Sequence, residues 1–299
     1  MTAATVPGEA PPLHVVFTMD CYPASHRGAP EGPKGWEQSA RSIDGFCTRL
    51  LNAGYSATLF LTPACASMQA PLLEDIAESG IELGLLVQPQ SLEGRYKRHL
   101  GQYGQEEQET IVEQAMRGYQ DALSARPQSC RPAMFSASDD TFGVLYRLGF
   151  QQGSVSSPGR RVAKHAAVWT GAARDAHYVD PTNKLLQGDL PFLELPVTTD
   201  ADHVRGGIAA DLTIENSPFE KWHRPLLDGQ VHRMRAEHVP FAALCIGTRN
   251  CFAYQQCDDR HRKTLDGILD YLDMLNERYD VQPVTVAGAH ACFRQRSRG

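Results

Sequence analysis

The sequence predicts an α/β protein built on a largely parallel sheet, and three observations carry that prediction. Short β-branched or aromatic runs alternate with amphipathic segments in the order strand, helix, strand for most of the length. The segment after the first strand carries a clean helical stripe of apolar residues suited to packing on a sheet. The 299 residues suffice for one large α/β unit with a substantial core, and nothing in them demands two domains.

Taken in order, the first strand falls at His14 to Thr18, inside the run Val15-Val16-Phe17-Thr18-Met19-Asp20-Cys21-Tyr22. The following helix presents Ile43, Phe46, Cys47, Leu50 and Leu51 at i, i+3, i+4, i+7 and i+8, and Gly54 is its C-cap. Strands come next at Ala57 to Thr62 and Glu82 to Val87. A helix from Glu106 to Leu123 puts Ile111, Ala115, Tyr119 and Leu123 on one face and is limited by Pro127. Ser138 or Asp139 caps a further helix start, where Asp140 suits the dipole. Strands are then expected at Gln152 to Ser156, Leu193 to Thr198, Phe241 to Ile246 and Pro283 to Val286. A helix beginning near Asp258, with Leu265, Ile268, Leu269, Leu272 and Leu275, precedes the last of them. No internal sequence repeat is found.

Composition narrows the function classes. Hydrophobic content of 42%, 21% charged residues and a formal net charge of -6 describe an ordinary soluble protein and argue against a nucleic-acid partner. The short Arg-rich end, Arg294 to Arg298, reads as a solvated tail. No run of about 18 apolar residues exists to cross a membrane. Residues 1–12 lack the basic start and apolar centre of a secretory signal, so a cytoplasmic location is the expectation. The domain reading is a tail over 1–12, one catalytic domain over 13–293 and a tail over 294–299. Eight cysteines at irregular spacing read mainly as reduced core thiols, and Cys251 and Cys257 are too far apart for a C-x-x-C pair. Nothing in the chain fixes an oligomeric state.

The first strand delivers one carboxylate, Asp20, to its C-terminal end, where α/β folds build their ligand crevices. A cap or loop carboxylate is the equally weighted alternative. Between this strand and its helix, Pro23 to Trp36 holds three Pro and three Gly in fourteen residues and reads as a long irregular loop beside the strand end. Such a loop is a lid or binding loop or, with equal weight, a solvated connection; its notable side chains are His26, Arg27 and Trp36, of which His26 and Trp36 are candidate substrate contacts. Glu194 sits inside an apolar strand, so it needs either an Arg partner or a ligand. Arg160, Arg161, His165, Trp169 and Arg249 are candidates for that partnership or for substrate contact.

Together with Asp20, four later segments give the chain a resemblance to the polysaccharide deacetylase family, the nodulation-factor-type carbohydrate esterases. The segments are Phe17 to Cys21, Ala57 to Leu61, Gly80 to Pro89, Cys130 to Ser136 and Phe241 to Thr248, and their order and spacing carry the match over residues 13–290. The resemblance implies a distorted, incomplete (β/α) barrel of the polysaccharide deacetylase type, with its active site at the C-terminal strand ends. It also implies one divalent metal, held by an acidic residue just after the base Asp and by two His, which polarises the amide carbonyl and activates water. Asp20 matches the base and Arg131 the Arg that pairs with it. The metal carboxylate position falls on Cys21 or Tyr22 and the His positions on Leu86 and Gln88, so Leu85-Leu86-Val87-Gln88-Pro89 reads as Leu-His-x-His-Pro without its imidazoles. A late His near Ile246 to Thr248 is absent as well.

Leu offers no lone pair and Gln is a poor zinc ligand, so no metal is expected at the usual site and no other cofactor is implied. A site rebuilt from Cys21 and from His26, His165, His177 or His290 stays open. The resulting expectation is a deacetylase-like hydrolase of a C–N bond (amide, imide or N-acyl) in a small soluble metabolite. Asp20 is the general base, with Arg131 and Tyr22 the other catalytic candidates. Substrate-binding candidates are His26, Trp36, Gln88, Phe135, Glu194 and Arg249. Two readings stand beside it: an inactive homologue retained for ligand or protein binding, and lyase or isomerase chemistry in the same pocket.

Overall fold

The computed structural model describes residues 11–24, 32–92 and 96–296. The first half builds strand by strand: β1 (Leu13–Cys21), α1 (Trp36–Asn52), β2 (Ala57–Leu61), α2 (Pro63–Glu78), β3 (Glu82–Val87), α3 (Gln105–Leu123), β4 (Ser129–Pro132) and α4 (Thr141–Arg147). Short strands follow: β5 (Gln152–Gly153), β6 (Arg161–Val162), β7 (Ala167–Val168), β8 (His177–Val179) and β9 (Leu190–Glu194). A hairpin of β10 (Thr199–Arg205) and β11 (Ile208–Asp211) leads into α5 (Phe219–Ala236), β12 (Ala242–Arg249), α6 (Arg260–Asn276), β13 (Val281–Pro283) and α7 (Val286–Arg296).

The main sheet runs in the order β12-β1-β2-β3-β4-β5-β9-β8, with β13 added beside the start of β1. Every pairing in it is parallel except β8 with β9. It curls into a distorted, incomplete barrel. The outer edge of β12 is covered by returning chain: Thr198 N–H donates to Cys245 O at 3.1 Å and Ile214 N–H to Gly247 O at 2.9 Å.

Two-residue periodicity sorts the side chains of β1. Leu13, Val15, Phe17, Met19 and Cys21 pack outward against helix residues such as Ile43, Phe46 and Leu50. Val16 and Tyr22 belong to the inner cluster with Phe60, Leu86, Ala133, Leu195 and Cys245. Asp20 shares the inner parity, which is why a carboxylate in an otherwise apolar strand reaches the barrel mouth rather than the helix layer.

The apolar stripes of α1, α3 and α6 lie where their periodicity predicts, and Gly54 closes α1 with a φ of +77°. Helices α2, α5 and α7 were not expected; α5 even holds Pro225 in its interior. At α4 the cap position is Asp140, whose N–H donates to Ser138 Oγ at 3.3 Å. β5 and β9 end earlier than expected, at Gly153 and Glu194. The last strand lies at Val281–Pro283, and α7 takes Arg294 and Arg296 into its final turn.

Candidate active site

Parallel strands bring their C-terminal ends to one rim, and there Asp20 of β1, Arg131 of β4 and Arg249 of β12 line a cavity of about 850 Å³. That volume lies in the range of small-molecule sites. The hairpin β10–β11 and the start of α5, with Lys221, Trp222 and Leu226, form its opposite wall.

Asp20 and Arg131 are 8% and 2% exposed, and Arg131 Nη1 donates to Asp20 Oδ1 at 2.7 Å. Three further donors of the guanidinium are spent on the scaffold. Nη1 also reaches Thr18 Oγ1 at 3.1 Å, Nη2 reaches Ser154 Oγ at 2.7 Å and Nε reaches Ser154 O at 2.9 Å. The pair is therefore made through one carboxylate oxygen rather than the two-pronged contact an Arg can form. Asp20 Oδ2 accepts no hydrogen bond among the described residues. Burial, the largest influence, pulls the Arg131 guanidinium toward losing its proton, but Asp20, Cys245 and Glu194 together outweigh it, so its pKa is raised.

The loop after β5 that holds Arg131 is itself fastened by Glu194, which is 1% exposed. Glu194 accepts from Val155 N–H at 3.1 Å, Ser156 N–H at 2.8 Å and Ser156 Oγ at 2.7 Å. Its need for partners is met by backbone and hydroxyl, not by an Arg ion pair. Burial pushes its pKa up to about 7 against those hydrogen bonds. A second clamp acts on β1. Asn250 Oδ1 accepts from Tyr22 N–H at 3.0 Å, its Nδ2 donates to Tyr22 O at 2.9 Å, and Asn250 N–H donates to Asp20 O at 3.2 Å.

Phe135 lines the cavity and lies under two cations, with Arg131 Cζ 5.5 Å and Arg160 Cζ 5.4 Å from its ring centroid. Met134 and Phe135 hold φ values of +61° and +59°, a left-handed pair unusual for residues with side chains and costing roughly 1–2 kcal/mol each. Such strain is typical of functional loops, and both side chains line the cavity. Arg160 is 8% exposed, and its side chain makes no hydrogen bond or ion pair among the described residues; its Nε is buried without an acceptor. Arg249 Nε donates to Glu215 Oε1 at 3.1 Å, while burial pushes Glu215 up to about 7. Tyr22 lines the cavity within electrostatic reach of both Arg160 and Arg249.

Of the residues singled out in the sequence, Asp20, Tyr22, Arg131, Phe135 and Arg249 thus meet in one cavity. Trp36 instead opens α1 and packs against the outer core, and Gln88 caps a short turn after β3 and is not among the residues lining the cavity. Glu194 lies behind Arg131 rather than in contact with the cavity. His26 lies outside the described residues. Sequence reading missed Thr18, Ser154 and Asn250 as supports, and Asp211 and Glu215 as cavity acids; their residue types carry no motif, and only folding brings them together.

The divalent metal implied by the resemblance finds no fitting donor set among the described residues. Cys21 is fully buried on the outer face, where burial raises its thiol well above the ordinary range, and Leu86 sits in the inner apolar cluster. His177 and His290 are bonded to Asp175 O and Gln152 Oε1, each at 2.8 Å, and the rings of His165 and His99 pack at a tilt with centroids 4.5 Å apart. Among the described residues no group of three or more His, Cys, Asp or Glu could hold a metal ion. Likewise, no described helix is long and apolar enough to cross a membrane.

No family model matches the sequence, and no curated protein matches it. Solved structures do. A Mycobacterium smegmatis protein described as a polysaccharide deacetylase superposes with a TM-score of 0.64 at 13% identity, covering 98% of this chain and 94% of that one. PuuE allantoinase gives 0.62 at 12% identity, covering 97% and 92%. A Pseudomonas aeruginosa PAO1 protein described as a polysaccharide deacetylase gives 0.59 at 12% identity, covering 95% and 91%. Full-length superposition at such low identity is a statement about architecture: the chain has the distorted (β/α) barrel fold of the polysaccharide deacetylases.

Proposed function

We propose that the protein is a hydrolase of a C–N bond in a small soluble amide, imide or N-acyl compound, with Asp20 as general base and no metal in the reaction. The observation that carries this reading is the 2.7 Å contact from Arg131 to one oxygen of Asp20 at the cavity floor, which leaves the other oxygen unbonded among the described residues. Support also comes from the neighbours' names, deacetylase and allantoinase, and from a donor set that does not suit a divalent cation.

In this reading Oδ2 takes a proton from water as the water oxygen bonds to the carbonyl carbon. The C–N bond then breaks, and the proton passes from Asp20 to the leaving nitrogen, giving a carboxylic acid and an amine or amide. Arg131 keeps the base oriented. The tetrahedral oxyanion is met by cavity donors, of which Tyr22, a lining residue, is the proposed one; one such donor is worth about 3–4 kcal/mol. A missing Lewis acid favours activated or strained substrates over unactivated N-acetyl sugars.

The test is a screen of soluble amides, cyclic imides and N-acyl compounds for amine or carboxylate release by chelator-treated protein. Turnover that falls with Asp20→Asn supports the reading. Equal turnover by wild type and Asp20→Asn on every active substrate refutes it.

A further inference from the structure

We infer that Arg160 is the grip for a carboxylate on the molecule that occupies the cavity, which makes the substrate class an amide that also carries a carboxylate. This rests on the proposed hydrolase reading for the amide and on independent geometry for the anion. An arginine that is 8% exposed normally has its donors satisfied, because a buried cation without a partner is costly. Arg160 lines the cavity, makes no side-chain hydrogen bond or ion pair among the described residues, and holds Nε buried without an acceptor. Burial, its largest influence, draws its pKa down from the ordinary arginine value.

The neighbours explain why the partner must come from outside. Asp211 lies within electrostatic reach, but its carboxylate accepts from Thr213 N–H at 3.1 Å and Asn216 Nδ2 at 2.8 Å. Arg131 is neutralised by Asp20 and Arg249 by Glu215. Arg160 is therefore the cavity guanidinium whose donors find no acceptor among the described residues. A planar fork with open donors matches a carboxylate, whereas a phosphate dianion would bring surplus negative charge beside Asp20 and Asp211. The Phe135 ring under both Arg131 and Arg160 links this grip to the base. A ligand held at Arg160 thereby spans toward Asp20, with its carboxylate at one end and its C–N bond at the other.

The experiment is calorimetric titration of wild-type protein with succinamate, glutaramate and N-acetylglycine, their neutral partners succinamide, glutaramide and N-acetylglycinamide, and inorganic phosphate. Amine or ammonia release is followed separately. At least one carboxylate should bind tighter than its neutral partner, and Arg160→Gln should weaken it about 10- to 100-fold. Arg160→Lys, which keeps the charge and loses the fork, should fall between. Without ligand, Arg160→Gln should melt at the wild-type temperature or higher, since it removes a buried guanidinium without hydrogen-bond partners among the described residues.

The inference is overturned if no carboxylate binds, if neutral partners bind equally, if phosphate is preferred, or if Arg160→Gln keeps the carboxylate preference. A lower melting temperature for both Arg160 variants would assign the guanidinium to structure and overturn it too. Arg160-dependent binding without turnover leaves the inference standing and removes the hydrolase reading. Turnover of neutral amides that ignores Arg160 does the reverse.

Discussion

Arg131 Nη1 and Asp20 Oδ1 stand 2.7 Å apart although 111 residues separate them in the chain. Four strands of a parallel sheet bring them together, with Leu86 directly beside Arg131 in the register between β3 and β4. Both partners are buried, so truncating one leaves the other as an uncompensated charge. Arg131→Met should therefore lower unfolding free energy by about 3–5 kcal/mol in urea denaturation. A loss below about 1 kcal/mol would place the pair among weak surface contacts.

Asn250 is predicted to position the base through backbone alone. Its side chain ties both the N–H and the C=O of Tyr22. Asn250→Ala strands these buried groups and should cost about 1–3 kcal/mol of stability. It should also lower kcat more than it raises KM on whichever amide the protein turns over. A stability loss with unchanged kcat would confine Asn250 to a structural role.

Glu194 predicts a sign for pH dependence. Its folded pKa, about 7, lies above the ordinary 4.5, so between these values the folded state binds more protons than the unfolded state. Its contribution is fully present below pH 4.5 and is lost as pH rises through 7. His14 and His223, lowered to about 4, act oppositely below pH 6.5, so the difference between wild type and Glu194→Gln is the informative quantity. Urea midpoints from pH 4.5 to 8 should show wild type losing stability relative to Glu194→Gln. A constant difference across that range contradicts the assignment.

The alignment behind the metal argument is open to a gain-of-binding test. If Leu86 and Gln88 stand where imidazoles belong and Tyr22 where a carboxylate belongs, the variant Leu86→His, Gln88→His, Tyr22→Asp should bind one zinc per chain in equilibrium dialysis. Failure of the folded variant to bind zinc would count against the alignment.

The sequence made the frame of the site legible because strong local signals coincide there. The run from Val15 to Tyr22 is β-type along its length and ends in a carboxylate, and Arg131 lies at a strand end within a recognisable segment. The packing of Trp36 on the core was not legible because a Pro- and Gly-rich loop beside a strand end looks the same whether its aromatic residue turns to ligand or core. Glu194 was legible as buried and in need of partners. That its partners are the N–H groups of Val155 and Ser156 depends on a two-residue strand, β5, too short to leave a periodic pattern. The hairpin and α5, which wall the cavity, lacked signals of another kind: polar strands outside the main sheet, then a helix with an internal proline. Arg160 stood out only as one of several arginines until the fold showed it buried, with Nε unsatisfied among the described residues.

The most direct test of the account is the single-turnover rate of chelator-treated protein on an amide identified by the screen, compared with Asp20→Asn. Wild type should retain its rate without added metal, and Asp20→Asn should be slower by about 10²- to 10⁴-fold while still binding the substrate. Equal rates in the two proteins, or a wild-type rate that vanishes with the chelator and returns with zinc, would contradict it.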